Sequence, residues 1–144
     1  MPVKEHEIEI KVYAFDTDSS GVIFNANYFK WFYIGRHEFV GSCDIKIESN
    51  GSLLIGPGKE RISIRIGTLN CRICRPSRLN DVIRMKTSIK GVRPKTVTFI
   101  HRLYDNKERL LVEGESVYVS IDPDRDKSVD MPPSVIEYFK DMVC

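Results

Sequence analysis

The chain has 144 residues, 42% of them hydrophobic and 29% charged, with a formal net charge of +2. That length fits one domain with a buried core, and the balance is that of a globular chain rather than a disordered one. The two charge signs are mixed, which leaves no electrostatic case for a nucleic-acid partner, and no apolar run is long enough to span a bilayer. The opening MPVKEHEIEIK runs into an alternating pattern without a signal-peptide core, so a cytoplasmic chain with no membrane insertion is expected.

Taken in order, Glu5 to Phe15 alternates Ile8, Ile10, Val12 and Ala14 against Glu7, Glu9, Lys11 and Tyr13, the pattern of a half-buried strand. A polar loop, DTDSSGVIFNAN (Asp16 to Asn27), follows. Asn27 to Val40 then reads as a helix with an asparagine N-cap. Tyr28, Trp31, Phe32, Gly35 and Phe39 share one stripe, while Phe29, Tyr33 and Ile34 make the first turns apolar nearly all round. A helix of that kind is expected to be enclosed by protein, with Gly35 permitting close approach to a sheet.

Arg61 to Arg75 is a long strand whose apolar parity flips at Gly67, so a bulge is expected there. After the turn Arg75 to Asp81, strands are expected over Val82 to Lys90, Thr96 to Tyr104 and Arg109 to Ile121, the last flipping parity across Gly114. Pro132 to Met142 reads as a short amphipathic helix with Val135, Phe139 and Met142 on its inner face. The whole chain, 1–144, is therefore expected to be one α+β domain: a curved antiparallel sheet of five or six strands wrapped around a long central helix, with two glycine bulges supplying the curvature. Free sheet edges and helix ends suit pairing with a second copy.

Chemistry is sought first in the loop before the helix. Free N–H groups at a helix N-terminus polarise a carbonyl oxygen or hold an anion, and a carboxylate beside them is held ionised. Such an aspartate acts as a nucleophile or as a base for water. From the residues alone, Asp16 and Asp18 are equally ordinary turn and cap residues. Cys71-x-x-Cys74 has no second pair at metal spacing and falls in a strand, where residues three apart face opposite sides, so no metal site is expected.

YAFDTDSSGVIFNANYFKWF (Tyr13 to Phe32) resembles the Asp-Thr-Asp-x-x-Gly-Val-Val-Tyr-His-x-x-Tyr motif of the 4-hydroxybenzoyl-CoA thioesterase-like family, and most of all its bacterial branch associated with the Tol-Pal system. IGRHEFV is similar to that branch's central-helix end, and CRICRPSRLND to its Tyr-x-x-Pro-Ala-Arg-Leu-Asp-Asp turn. The segment from Val117 to Phe139 resembles the branch's last strand and proline-rich entry to the final helix. The resemblance implies the hotdog fold, an acyl-CoA thioesterase and a homodimer that assembles to a homotetramer. It implies no cofactor beyond the coenzyme A of the substrate. It places the catalytic carboxylate on Asp18, with Asp16 as a supporting turn residue. The carbonyl-polarising backbone N–H falls on Asn25, where the branch usually carries histidine. Gly21, Tyr28, Arg93, Lys95 and Thr96 become candidate substrate-binding residues, the last three as a basic turn for the nucleotide part. Arg72 to Arg78 is a second, weaker basic patch. Glu38 and the three histidines, His6, His37 and His101, are expected to be structural or solvated. The alternative implied by Asn25 is a non-catalytic hotdog module that binds acyl-CoA or scaffolds a partner protein.

Overall fold

The computed structural model describes residues 4–144. Its elements are β1 (His6–Lys11), a single 3-10 turn (Ala14–Asp16), α1 (Ala26–Gly41), β2 (Ile45–Ile47), β3 (Leu53–Ile55), β4 (Glu60–Ile73), β5 (Val82–Arg93), β6 (Thr96–Tyr104), β7 (Leu110–Asp122), β8 (Lys127–Ser128) and α2 (Pro133–Lys140). The strands form one antiparallel sheet in the order β1-β5-β6-β7-β4-β3-β2, with β8 on β7. Eight strands stand where five or six were expected. The additional ones, β2, β3 and β8, are two or three residues long. Such a length is too short to display an alternation.

The sheet curls around α1, which buries Tyr28, Trp31, Phe32, Gly35 and Phe39 as the stripe requires. Each large apolar side chain removed from water contributes roughly 1.5–3 kcal/mol before entropy is charged against it. The enclosure is one-sided: Phe29 is half-buried, while Tyr33 and Ile34 are exposed. Gly35 sits where the helix touches the sheet. A Cβ there would lie 2.5 Å from Thr87 Oγ1 and 2.7 Å from Met85 Cε.

The core falls into two clusters along α1. Tyr28, Trp31 and Phe32 pack with Ile83, Met85, Leu103 and Val112 at its N-terminal half. Phe39 and Val40 pack with Ile89, Phe99, Val135 and Phe139 at the other, where α2 closes the end of the sheet. A polar layer lies beneath Gly35. The buried His101 meets Thr87 Oγ1 at 3.1 Å and Ser116 Oγ at 2.8 Å, and its ring stacks on Phe32 at 4.5 Å.

The β4–β7 register shifts between Ile66 and Thr68, so the expected bulge at Gly67 is present. Gly114 behaves differently. It stays in continuous register with His101 and Cys71, and the buried positions on β7 keep one parity through Val112, Gly114, Ser116, Tyr118 and Ser120. Val117, Val119 and Ile121 belong to the outer face, which misled the parity count. Gly114 is a contact point instead: a Cβ there would lie 2.4 Å from the Phe32 ring and 2.6 Å from the Asn70 carbonyl oxygen. Two further register shifts occur, at Lys90 between Ile89 and Gly91 on β5, and opposite Leu103 and Tyr104 where β7 passes from Val112 to Leu110.

Candidate active site

The loop between β1 and α1 is a miniature hairpin. Thr17 bridges Ile23, the Asp18 N–H donates to Val22 O at 2.8 Å, and the Gly21 N–H donates to Asp18 O at 3.1 Å. Gly21 has φ +80°, a left-handed conformation that favours glycine. No atom lies within 4 Å of where its Cβ would be, so its role in this structure is the turn.

The two aspartates part company here. Asp16 is buried; its Oδ2 accepts the Tyr13 N–H at 3.0 Å and its Oδ1 pairs with Lys30 Nζ at 3.1 Å. Its carbonyl oxygen accepts the Phe24 N–H and Asn27 Nδ2. It is the strut that holds the loop to the start of the helix. Asp18 is exposed. Its Oδ1 accepts both the Ser20 hydroxyl, at 2.6 Å, and the Ser20 N–H, at 2.8 Å. Those two donors hold the carboxyl below its ordinary value, so it is ionised at neutral pH. Its Oδ2 has no partner among the described residues.

The helix start differs from an ordinary capped one. Asn25 already has helical angles, and its side chain makes no cap; Asn27 reaches back to Asp16 rather than capping. The first turn is tight, with the Asn27 N–H on Phe24 O and the Tyr28 N–H on Asn25 O. The Asn25 and Ala26 N–H groups have no acceptor among the described residues. An ionised carboxylate and unpaired N–H groups at a positive helix end thus occur on one loop, which is what thioester hydrolysis requires.

The remaining candidates are more scattered. Tyr28 is 1% exposed and packs edge-on against Trp31 in the core, its phenol pushed up by burial, so it supports the site from beneath. Arg93, Lys95 and Thr96 form the β5–β6 turn, beside a groove of about 410 Å³ lined by Lys90, Arg93, Thr96 and Thr98. Arg93 and Lys95 are exposed and form no ion pair among the described residues. That turn lies at the far end of β5 from the aspartate loop. The loop is fastened near the start of β5, through Ile23 N–H to Ser77 O and the Val22–Arg78 bridge. Eleven strand steps, roughly 36 Å of strand, separate the two ends. Within one chain Asp18 and Asn25 lie on the same loop before α1, and the basic turn lies apart from it. The structure joins the loop instead to the Arg72–Arg78 patch, the weaker candidate in the sequence, through Ser77 and Arg78. Cys71 is half-buried, and burial raises its thiol, which does not favour a reactive thiolate.

Comparison with known proteins settles the family. The Thioesterase-like superfamily model matches residues 12–139. The chain belongs to that superfamily. The chain is similar to the acyl-CoA thioester hydrolase YbgC of Escherichia coli O6:H1, 28% identical over 131 residues that cover 91% of this chain and 92% of that protein. The acyl-acyl carrier protein thioesterase ATL2 of Arabidopsis thaliana is 30% identical, over 96% of this chain and 70% of that protein. The 4-hydroxybenzoyl-CoA thioesterase structure, crystallised with 4-hydroxybenzoyl-CoA, superposes with TM-score 0.76 at 16% identity, covering 95% of this chain and 99% of that one. At that identity the superposition speaks to fold, and the fold is the hotdog. This member of the superfamily is a thioester hydrolase.

Proposed function

We propose that this thioesterase hydrolyses an acyl-CoA, with Asp18 as base or nucleophile and the Asn25 N–H polarising the thioester carbonyl. The observation that carries the reading is the exposed, ionised Asp18 carboxylate, held by Ser20 on the loop that Asp16 ties to an uncapped helix N-terminus. The acyl-CoA substrate is supported by the resemblance to the YbgC hydrolases. As base, Asp18 takes a proton from water while the oxygen attacks the carbonyl carbon. As nucleophile, Asp18 forms an acyl-aspartyl ester that water then cleaves. Either way the C–S bond breaks, coenzyme A leaves as thiolate and is protonated, and the oxyanion faces the helix end. No cofactor is needed for either route.

The reading extends to a homodimer that assembles to a homotetramer. β4 pairs with β3 only over Glu60–Ile62, leaving its remaining edge without a strand among the described residues, and Leu69 and Ile73 are exposed along it. Because Arg93 and Lys95 lie far from Asp18 in their own chain, they would serve the nucleotide part of a substrate bound at another protomer's loop. Arg72, Arg75 and Arg78, which form no ion pair among the described residues, are the cations available within the same chain. The scaffold reading draws its support from Asn25, which replaces the branch's usual histidine.

A thiol-release assay over acyl-CoAs of varied length tests the proposal. Asp18→Asn is expected to lower kcat by about 10²- to 10⁴-fold while leaving the melting temperature unchanged. Retained hydrolysis in that variant would refute the assignment, and tight binding of acyl-CoA to the wild type without thiol release would favour the scaffold.

A further inference from the structure

One buried cation is used by nothing described so far. Arg36 on α1 is 4% exposed, and its Nε and Nη1 are buried with no hydrogen-bond partner among the described residues. The guanidinium carbon lies 5.8 Å from the ring centres of both Tyr33 and Tyr118, so two aromatic faces flank it. Burial pulls its basicity below the ordinary arginine value, with the Tyr118 phenol opposing. The neutral Tyr118 phenol is the acceptor beside it, and a buried guanidinium that keeps two nitrogens unsatisfied, with no carboxylate paired to it among the described residues, is costly.

Arg36 lines a cavity of about 220 Å³ whose other walls include Tyr33, Leu53, Ile64, Ile66 and Tyr118. No aspartate or glutamate lines it, and Arg65 at its rim is paired with Asp126. The cavity is smaller than the roughly 300–1,000 Å³ of a pocket for a whole drug-sized ligand. It suits the end of a chain, apolar along its length and terminating in an anion. Asn25, Phe29, Tyr33 and Arg36 follow one another at helical spacing of four, four and three along one side of α1, with Phe29 half-buried and Tyr33 exposed. The eleven residues from Asn25 to Arg36 rise about 16 Å along the helix.

We propose that the Arg36 cavity is a subsite for the carboxylate at the far end of the acyl group, making the substrate class medium-chain acyl-CoAs with an ω-carboxyl. This rests on the acyl-CoA reading above. The carbonyl sits at Asn25, the chain lies over Phe29 and Tyr33, and the terminal carboxylate reaches the unsatisfied Nε and Nη1 of Arg36, which bind it through charge-assisted hydrogen bonds.

The test compares dodecanedioyl-CoA, esterified at one end, with lauroyl-CoA. Wild type is expected to prefer the former by about tenfold or more in kcat/KM, the factor of one charge-assisted hydrogen bond. Arg36→Met is expected to reverse that ratio. Ile64→Glu, which supplies a carboxylate from the cavity wall, should erase it even if the first variant does not fold. Calorimetry on Asp18→Asn with the same two thioesters reads the affinity ratio without turnover, so a missing hydrolytic activity and an unselective cavity give different results. Binding of lauroyl-CoA as tight as, or tighter than, dodecanedioyl-CoA in that titration overturns the proposal. So does an Arg36→Met protein with an unchanged ratio but weakened self-association, which would show that a second copy neutralises Arg36.

Discussion

Asp16 and Asp18 are two residues apart and carry the same carboxylate, yet one is a buried strut and the other an exposed anion. The difference lies in what surrounds them: Tyr13 and Lys30 occupy both oxygens of Asp16, while Ser20 occupies one oxygen of Asp18. The Ser20 hydroxyl lowers the Asp18 pKa, and in the proposed mechanism the carboxylate is the working form, so activity is expected to fall as pH drops through that pKa. Ser20→Ala removes the hydroxyl donor, so the acid limb of the kcat/KM–pH profile should move to higher pH. His101 acts on the fold rather than on the reaction, and its effect is also lost on the acid side. Burial, with Arg36 adding to it, lowers its pKa from 6.5 to about 3. Below about pH 6.5 the unfolded chain takes up a proton that the folded chain refuses, so stability is lost as pH falls from there toward 3. The loss amounts to a few kcal/mol by about the lower limit. Urea titrations across that range should show the midpoint falling, and His101→Gln should flatten the fall. The role of His101 was not legible in the sequence, where it reads as one of three histidines without context.

Glycines at element contacts show how packing overrides local pattern. Gly35 was readable as a close approach because it sits on an otherwise aromatic stripe. Gly114 was not, since its apolar neighbours on β7 point outward and imitate a parity flip. The two predict different costs. Gly35→Ala meets Thr87 Oγ1 and the flexible end of Met85, and should cost about 1–3 kcal/mol despite better helix propensity. Gly114→Ala meets the Phe32 ring and the Asn70 backbone, which cannot give way, and should be the more destabilising of the two in thermal melts. The bend at Lys90 had no glycine at the shifted residue itself to announce it.

At the scale of the molecule, the edge of β4 that carries no strand among the described residues, with Leu69 and Ile73 exposed along it, suits a second copy better than water. Sedimentation is expected to show a dimer or tetramer, and Leu69→Lys on the open edge should shift it toward monomer. If the basic turn serves a neighbouring protomer, the same substitution should also raise KM for acyl-CoA. The sequence by itself determined the curved sheet, the central helix within a residue of each end, the bulge at Gly67 and the loop that carries Asp18. All of these follow from interactions between residues close in the chain, where periodicity, turn chemistry and a motif record them directly. The tertiary structure alone decided that Asp16 braces the helix, that the Arg72–Arg78 turn touches the aspartate loop and the Arg93–Lys95 turn does not, and that Arg36 is buried without an anion. Those depend on contacts between residues far apart in sequence, which no local pattern of side chains encodes.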